Sequence, residues 1–219
     1  ILTRIRSLDG LATIHAEEVA DLPDTQVVEH NLARSPAGEV RIVRAVQEAN
    51  TAGCRLHFCH LSTADAVDAA QGTVEVTPHH LLLSLEDFLE CGGKGKVNPP
   101  LREEAERRAL FSRWDAIDVI ASDHAPHTPG EKAFAFTAAP AGFPGVETMV
   151  PLLMAEVIEG RIDLTSLIEK TSAAPASILG IPPAGFIPGN RADFALYPRE
   201  IVRIEVDALH SRAGWTPFE

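Results

Sequence analysis

Basic residues are scarce: 19 Lys and Arg stand against 31 Asp and Glu, a formal net charge of −12. Nucleic acid and anionic membrane are poor partners for such a chain, because binding phosphate needs a basic face. Cysteine is scarce too. Cys54, Cys59 and Cys91 are unevenly spaced and give no disulfide framework, which points to a reducing cytoplasm. No apolar run approaches the length of a bilayer span, and the N-terminus has no signal-peptide layout. The first residue is Ile1, not Met, so the sequence reads as starting inside a longer polypeptide. No Gly-x-Ser-x-Gly elbow occurs. The stretch "GGKGKV" lacks the Ser or Thr of a phosphate loop and reads as a turn. Ser122, Asp123 and His124 carry triad letters, but strand neighbours face opposite ways and cannot relay a proton.

What is present is an alternation of strand-like and helix-like segments. "LATIHA" precedes the amphipathic "GEVRIVRAVQEANTAG", closed by Gly53. "RLHFCH" precedes "STADAVDAAQG", where Ser62 or Thr63 can cap a helix. "TVEVTPHH" leads to "SLEDFLECGG", capped by Ser84, then to the charged helix in "NPPLREEAERRALFSRW" and the strand "IDVIASD". Such β-then-α order implies an α/β fold with a parallel sheet, either doubly wound or a barrel. Residues 145–179 read as helical, with Met149 and Met154 in their core. From Ile181 the composition turns to Pro, Gly and short apolar runs. That tail is expected to form short β-strands of a separate small layer, with a boundary near Pro182.

The strand ends share a feature. His15 closes one strand, His60 the next and Asp123 the last, while Glu75, His79 and His80 follow at "TVEVTPHH". In a parallel sheet or barrel all carboxyl ends lie on one side, so these groups converge whatever their separation in sequence. Imidazole nitrogen and carboxylate oxygen suit a borderline metal such as zinc. His79, His80 and His124 are assigned to bracing and hydrogen bonding. The set Cys54, His57, Cys59, His60 lies in an apolar strand pattern and is read as structural, not as a zinc finger.

"ASDHAPHTPGEK" closely resembles the signature of dihydroorotases, cyclic amidohydrolases of the amidohydrolase superfamily that serve pyrimidine biosynthesis. "TIHAEE", "FCHLST", "VEVTPHHLLLS", "KVNPPLR", "PAGFPGVETMVPLLM", "GNRADFALYP" and "GWTPFE" resemble the family in the family's order, over nearly the whole chain. The resemblance implies a (β/α)8 metal-dependent barrel of which this chain carries the second half, residues 1–182, followed by part of a small β-sandwich, residues 183–219. It implies reversible hydrolysis of dihydroorotate to N-carbamoyl-aspartate with two zinc ions in each complete active site. His15 and His60 match ligands of one metal; Asp123 matches a ligand of the other and the general acid/base. Asn98, His127, Ala141 and Gly142 match substrate-binding positions. Cys59 and Glu75 match positions that bind an additional zinc in the animal enzyme, although strand alternation would turn Cys59 away from His60. The family's first-strand His-x-His pair, its substrate arginine and its metal-bridging residue would precede Ile1. The implied partners are therefore the N-terminal half of the barrel, a second copy, or aspartate carbamoyltransferase, with no nucleic acid and no membrane. Two alternatives stay open: a hydantoinase- or allantoinase-type cyclic amidohydrolase, and a non-catalytic dihydroorotase-like scaffold.

Overall fold

A computed structural model describes residues 1–182 and 184–218. Four parallel strands, β1 (Leu11–His15), β2 (Arg55–Cys59), β3 (Thr73–Val76) and β4 (Val119–Ile120), lie side by side in sequence order. Helices fill each crossover: α1 (Leu2–Ser7) precedes the sheet, and α2 (Val27–Ala33) and α3 (Pro36–Ala49) join β1 to β2. Next come α4 (Ala64–Ala69) before β3, and α5 (Pro78–Leu82) and α6 (Glu104–Phe111) before β4. The short α7 (Pro129–Lys132) leads to α8 (Met149–Ile158), α9 (Leu164–Ile168) and α10 (Ala174–Leu179), with a π-helical turn over Glu169–Ala173.

Local chemistry sets these boundaries. Ser35 accepts from the Gly38 amide with Pro36 in the first turn of α3, and Thr63 caps α4 through the Ala66 amide. Ser84 and Asp87 form a capping box, but the segment they start, Leu85–Phe88, is a 3-10 turn and not the expected α-helix. The strand expected over "IDVIASD" pairs only at Val119 and Ile120, in register with Glu75 and Val76. The side chain of Asp118 turns back to accept from the Val74 amide at 2.7 Å.

The alternating side chains give the sheet two unlike faces. Ala12, Leu56, Phe58, Val74, Val76 and Ile120 pack with Val43, Leu61, Leu81, Leu110, Leu153 and Leu167 into the main core. Fully buried aliphatic and aromatic side chains of this kind each contribute about 1.5–3 kcal/mol. The other face presents His57, Cys59, Thr73 and Glu75, with Thr13 and His15 exposed. Parallel sheets normally bury both faces, so this polar second face is the unusual one.

The tail departs from expectation. Among the described residues after Pro182 there is one isolated bridge, Ala184 to Arg191, and a 3-10 turn at Val206–Ala208, but no strand. Phe186 and Leu196 are almost wholly exposed, so the apolar runs read as strands have no partner edge to pair with. Pro183 and Glu219, at the two ends of the expected second unit, lie outside the described residues. No described helix is long and apolar enough to cross a membrane.

Candidate active site

The carboxyl ends of the four strands hold the polar residues singled out above. His15 ends β1 on the polar face, and His60 follows β2 in a left-handed backbone conformation, φ 35°. That turn breaks strand alternation, so Cys59 and His60 need not face opposite ways. Nδ1 of His15 lies 3.1 Å from Nε2 of His60. Asp123, after β4, also has a left-handed backbone, φ 44°, and its negative charge acts on His15, His60 and Cys59. Non-glycine residues adopt this region at a cost of roughly 1–3 kcal/mol, and such strain clusters at functional sites. Of the three non-glycine residues with positive φ among the described residues, two, His60 and Asp123, are among the expected metal ligands.

Electrostatics separates the imidazoles. The Glu17 carboxylate, 3.4 Å from His15 Nε2, raises the His15 pKa against the opposing effect of burial. Burial lowers that of His60, with Asp123 opposing. His60 Nδ1 is buried without a hydrogen-bond partner. That nitrogen is not the one that meets His15, so the fit of the pair to a metal rests on spacing. Two nitrogens bound tetrahedrally to one metal at 2.0–2.1 Å would stand about 3.3 Å apart, close to the observed pair. The donor set therefore fits a metal.

A second group lies deeper on the same face. Ligand atoms of His57, Cys59 and Glu75 all fall within 4.8 Å of one another, and His57 Nε2 is 3.1 Å from Glu75 Oε2. His57, read from the sequence as structural, thus joins Cys59 and Glu75, because residues two apart on β2 share a face with β3's Glu75. Burial, followed by the Glu75 charge, pushes the Cys59 thiol up to about 11. Glu75 also accepts from the His60 backbone amide at 3.2 Å, which links the two groups.

Behind the site, His80 and His124 make hydrogen bonds of the bracing kind, whereas the His79 ring makes none among the described residues. His80 bridges Thr77 and the Pro99 carbonyl at 2.8 and 3.0 Å, and burial holds its pKa well down. His79 is fully buried, with its pKa pushed down to about 3 and its Nε2 unpartnered. His124 Nδ1 accepts from the Gly145 amide at 3.0 Å.

The expected substrate positions lie on loops beyond the strands. His127 is half-buried, and its carbonyl accepts from the Trp215 indole at 2.8 Å. Gly142 has φ 127° and packs against Ala125 and His127. Its N–H already donates to the Lys96 carbonyl at 2.9 Å and its carbonyl accepts from Lys132, whereas the N–H and carbonyl of half-buried Ala141 make no hydrogen bond among the described residues. Lys132 is buried and donates to the carbonyls of Lys96, Pro140 and Gly142 at 2.8, 2.9 and 3.1 Å. Asn98 is half-buried, and its Oδ1 lies 2.8 Å from Nε2 of the buried His30. His30 does not stand out in the sequence, because a lone polar residue off any strand end has no pattern, and Lys132 ends the stretch "ASDHAPHTPGEK" without a role assigned to it there.

No family model matches the chain. Among curated proteins it is 43% identical to the dihydroorotase of Halobacterium salinarum over 230 residues, covering 99% of this chain and 54% of that one. It is 42% identical to the dihydroorotase of Archaeoglobus fulgidus over 212 residues, covering 94% and 50%. Among solved structures, dihydropyrimidinase from Brevibacillus agri superposes with a TM-score of 0.87 at 26% identity, covering 100% of this chain and 54% of that one. D-hydantoinase from a Thermus species gives 0.87 at 25% identity with the same coverage. The chain spans about half the length of the curated relatives it matches. Similarity at this level along almost its entire length makes the chain a homologue of the dihydroorotases, corresponding to about half of such an enzyme.

Proposed function

We propose that the protein to which this chain belongs is a dihydroorotase, opening the cyclic amide of dihydroorotate to N-carbamoyl-aspartate and closing it in reverse. One observation carries the reading: His15 and His60 meet at 3.1 Å, within the field of the Asp123 charge, at the carboxyl ends of parallel strands, in a chain 43% identical to a dihydroorotase. Residues 1–182 then form the second half of a (β/α)8 barrel, and 183–219 part of a β-sandwich. The polar face of the sheet and the outer edges of β1 and β4 are where the other half of the barrel would close. The three cysteines are free, which suits a reducing cytoplasm.

His15 and His60 would hold one zinc ion and Asp123 would bind a second, with Cys59, Glu75 and His57 as ligands of an additional one. Bound metal lowers the pKa of water and polarises the amide carbonyl. Asp123 Oδ takes the proton of the attacking water as its oxygen bonds to the carbonyl carbon. The same carboxyl then delivers that proton to the ring nitrogen as the C–N bond breaks. Asn98, His127 and the Ala141 peptide orient the substrate carboxylate and ring amide; Gly142 shapes the loop that presents them.

An Asp123→Asn variant of the intact protein, checked to retain two equivalents of zinc, is expected to lose about 10²–10⁴ in turnover of dihydroorotate. Near-normal turnover would remove Asp123 from the proton path. The likeness to solved hydantoinase and dihydropyrimidinase structures supports, at lower identity, a second reading, a hydantoinase-type cyclic amidohydrolase. Efficient hydrolysis of dihydrouracil with none of dihydroorotate would establish it instead.

A further inference from the structure

His30 sits on α2, far in sequence from the strand ends, yet only 1% of its surface is exposed. Its Nδ1 lies 2.7 Å from Asp24 Oδ1. Its Nε2 faces two oxygens, Asn98 Oδ1 at 2.8 Å and the Val97 carbonyl at 3.1 Å. A backbone carbonyl only accepts, so Nε2 must carry a proton, and that N–H also donates to Asn98. The Asn98 carboxamide is thereby fixed with Oδ1 turned inward to His30 and its NH2 turned away. That NH2 makes no hydrogen bond with any described residue, which leaves it free to donate to a ligand.

The bracing continues behind His30. Arg34 Nη1 donates to Asp24 Oδ2 at 2.7 Å, and Arg34 Nε lies 3.3 Å from Glu17, which in turn faces His15. The Asn31 amide, next to His30, donates to the Leu101 carbonyl at 2.6 Å, so α2 is bound to the 97–101 segment at two points.

We infer that His30 is a positioning residue, orienting the Asn98 carboxamide so that its NH2 meets the carboxylate of an acidic substrate. The inference rests on the reading of Asn98 as a substrate ligand and names the part that carries its geometry. Without the His30 N–H, the carboxamide is free to rotate and present Oδ1, an acceptor that repels a carboxylate.

The test is a set of variants of the intact, metal-loaded protein: His30→Ala, His30→Gln, Asn98→Ala and the double variant His30→Ala/Asn98→Ala. Loss of one charge-assisted hydrogen bond corresponds to roughly tenfold. His30→Ala should therefore raise KM for dihydroorotate about tenfold, with kcat changed much less. His30→Gln keeps an N–H donor of similar reach and should restore most of the loss, which also guards against a merely misfolded alanine variant. In the Asn98→Ala background, His30→Ala should add nothing. An equal further loss in that background, or no effect of His30→Ala alone, would overturn the inference. Should the unaltered protein fail to turn over dihydroorotate, the functional proposal falls by itself. A crystal structure of His30→Ala then decides the positioning: a rotated Asn98 carboxamide sustains it, and an unmoved one refutes it.

Discussion

Glu39 offers the sharpest test of how the site is held. It lies on α3 with 2% of its surface exposed, and its carboxylate accepts from the Ser62 amide at 2.9 Å, Ser62 Oγ at 2.8 Å and Thr63 Oγ1 at 2.5 Å. Those two residues follow His60 almost directly. Arg102, also buried, donates to Ser62 Oγ, Asn31 Oδ1 and the Arg34 carbonyl at 3.0, 3.0 and 2.6 Å, all of them neutral groups. Glu39 is thus the charge that compensates a buried guanidinium. Burial pushes the Glu39 carboxyl up, against Arg102 and its hydroxyl donors. Ionised Glu39 therefore costs the fold something as pH rises through that window. Removing it costs more, because three donors and a buried cation lose their partner. Breaking a buried pair from one side costs about 3–5 kcal/mol. At roughly 1–2 °C per kcal/mol for a protein about twice this chain's length, Glu39→Ala should lower the midpoint of thermal unfolding of the intact protein by about 5 °C. Glu39→Gln, which keeps one acceptor oxygen, should fall between. The control is Glu18→Ala, which breaks the solvent-exposed pair with Arg41 on the same helix and should cost less than about 1 kcal/mol. If differential scanning fluorimetry shows Glu39→Ala no less stable than Glu18→Ala, the argument from buried charge is wrong.

Two further outcomes follow from the loops. A Cβ at Gly142 would stand 2.4 Å from the Ala125 Cβ, at φ 127°, so Gly142→Ala must displace the loop carrying Ala141; KM for dihydroorotate should rise at least about tenfold, read by steady-state kinetics. Burial, helped by Lys96, pushes Lys132 down to about 8 from 10.5, so between those values the unfolded chain binds more protons and stability should rise with pH. Denaturation midpoints of Lys132→Met across pH 8–10 should lack that rise, by about 1–3 kcal/mol relative to the unaltered protein, and an identical pH slope would refute it.

Much of the sheet is legible in the sequence, for a physical reason. Ala12 and Ile14, Leu56 and Phe58, Val74 and Val76 alternate with polar residues, and that period fixes both the strands and the face each side chain takes. The meeting of His15 and His60 follows from parallel topology alone. Alternation has no authority at His60, where a left-handed residue ends the period, and it does not flag His57, whose ligand-like company comes from the neighbouring strand. In the tail, apolar runs resemble strands, but a strand is a property of a pair. Among the described residues 184–218 the only pairing is the single bridge between Ala184 and Arg191, and no strand forms. His30, Asp24, Arg34 and Lys132 are illegible because their meaning lies in hydrogen bonds to distant backbone, which leave no spacing to read.

The left-handed corners at His60 and Asp123 carry a practical consequence. Both proposed ligands are aimed by the main chain, so whatever occupies those positions must first tolerate the corner. Aspartate, asparagine and histidine do so comparatively well; valine, isoleucine and threonine do not. A library randomised at either position would therefore be thinned by backbone sterics before chemistry made any selection, and β-branched residues should be depleted even among folded, inactive clones.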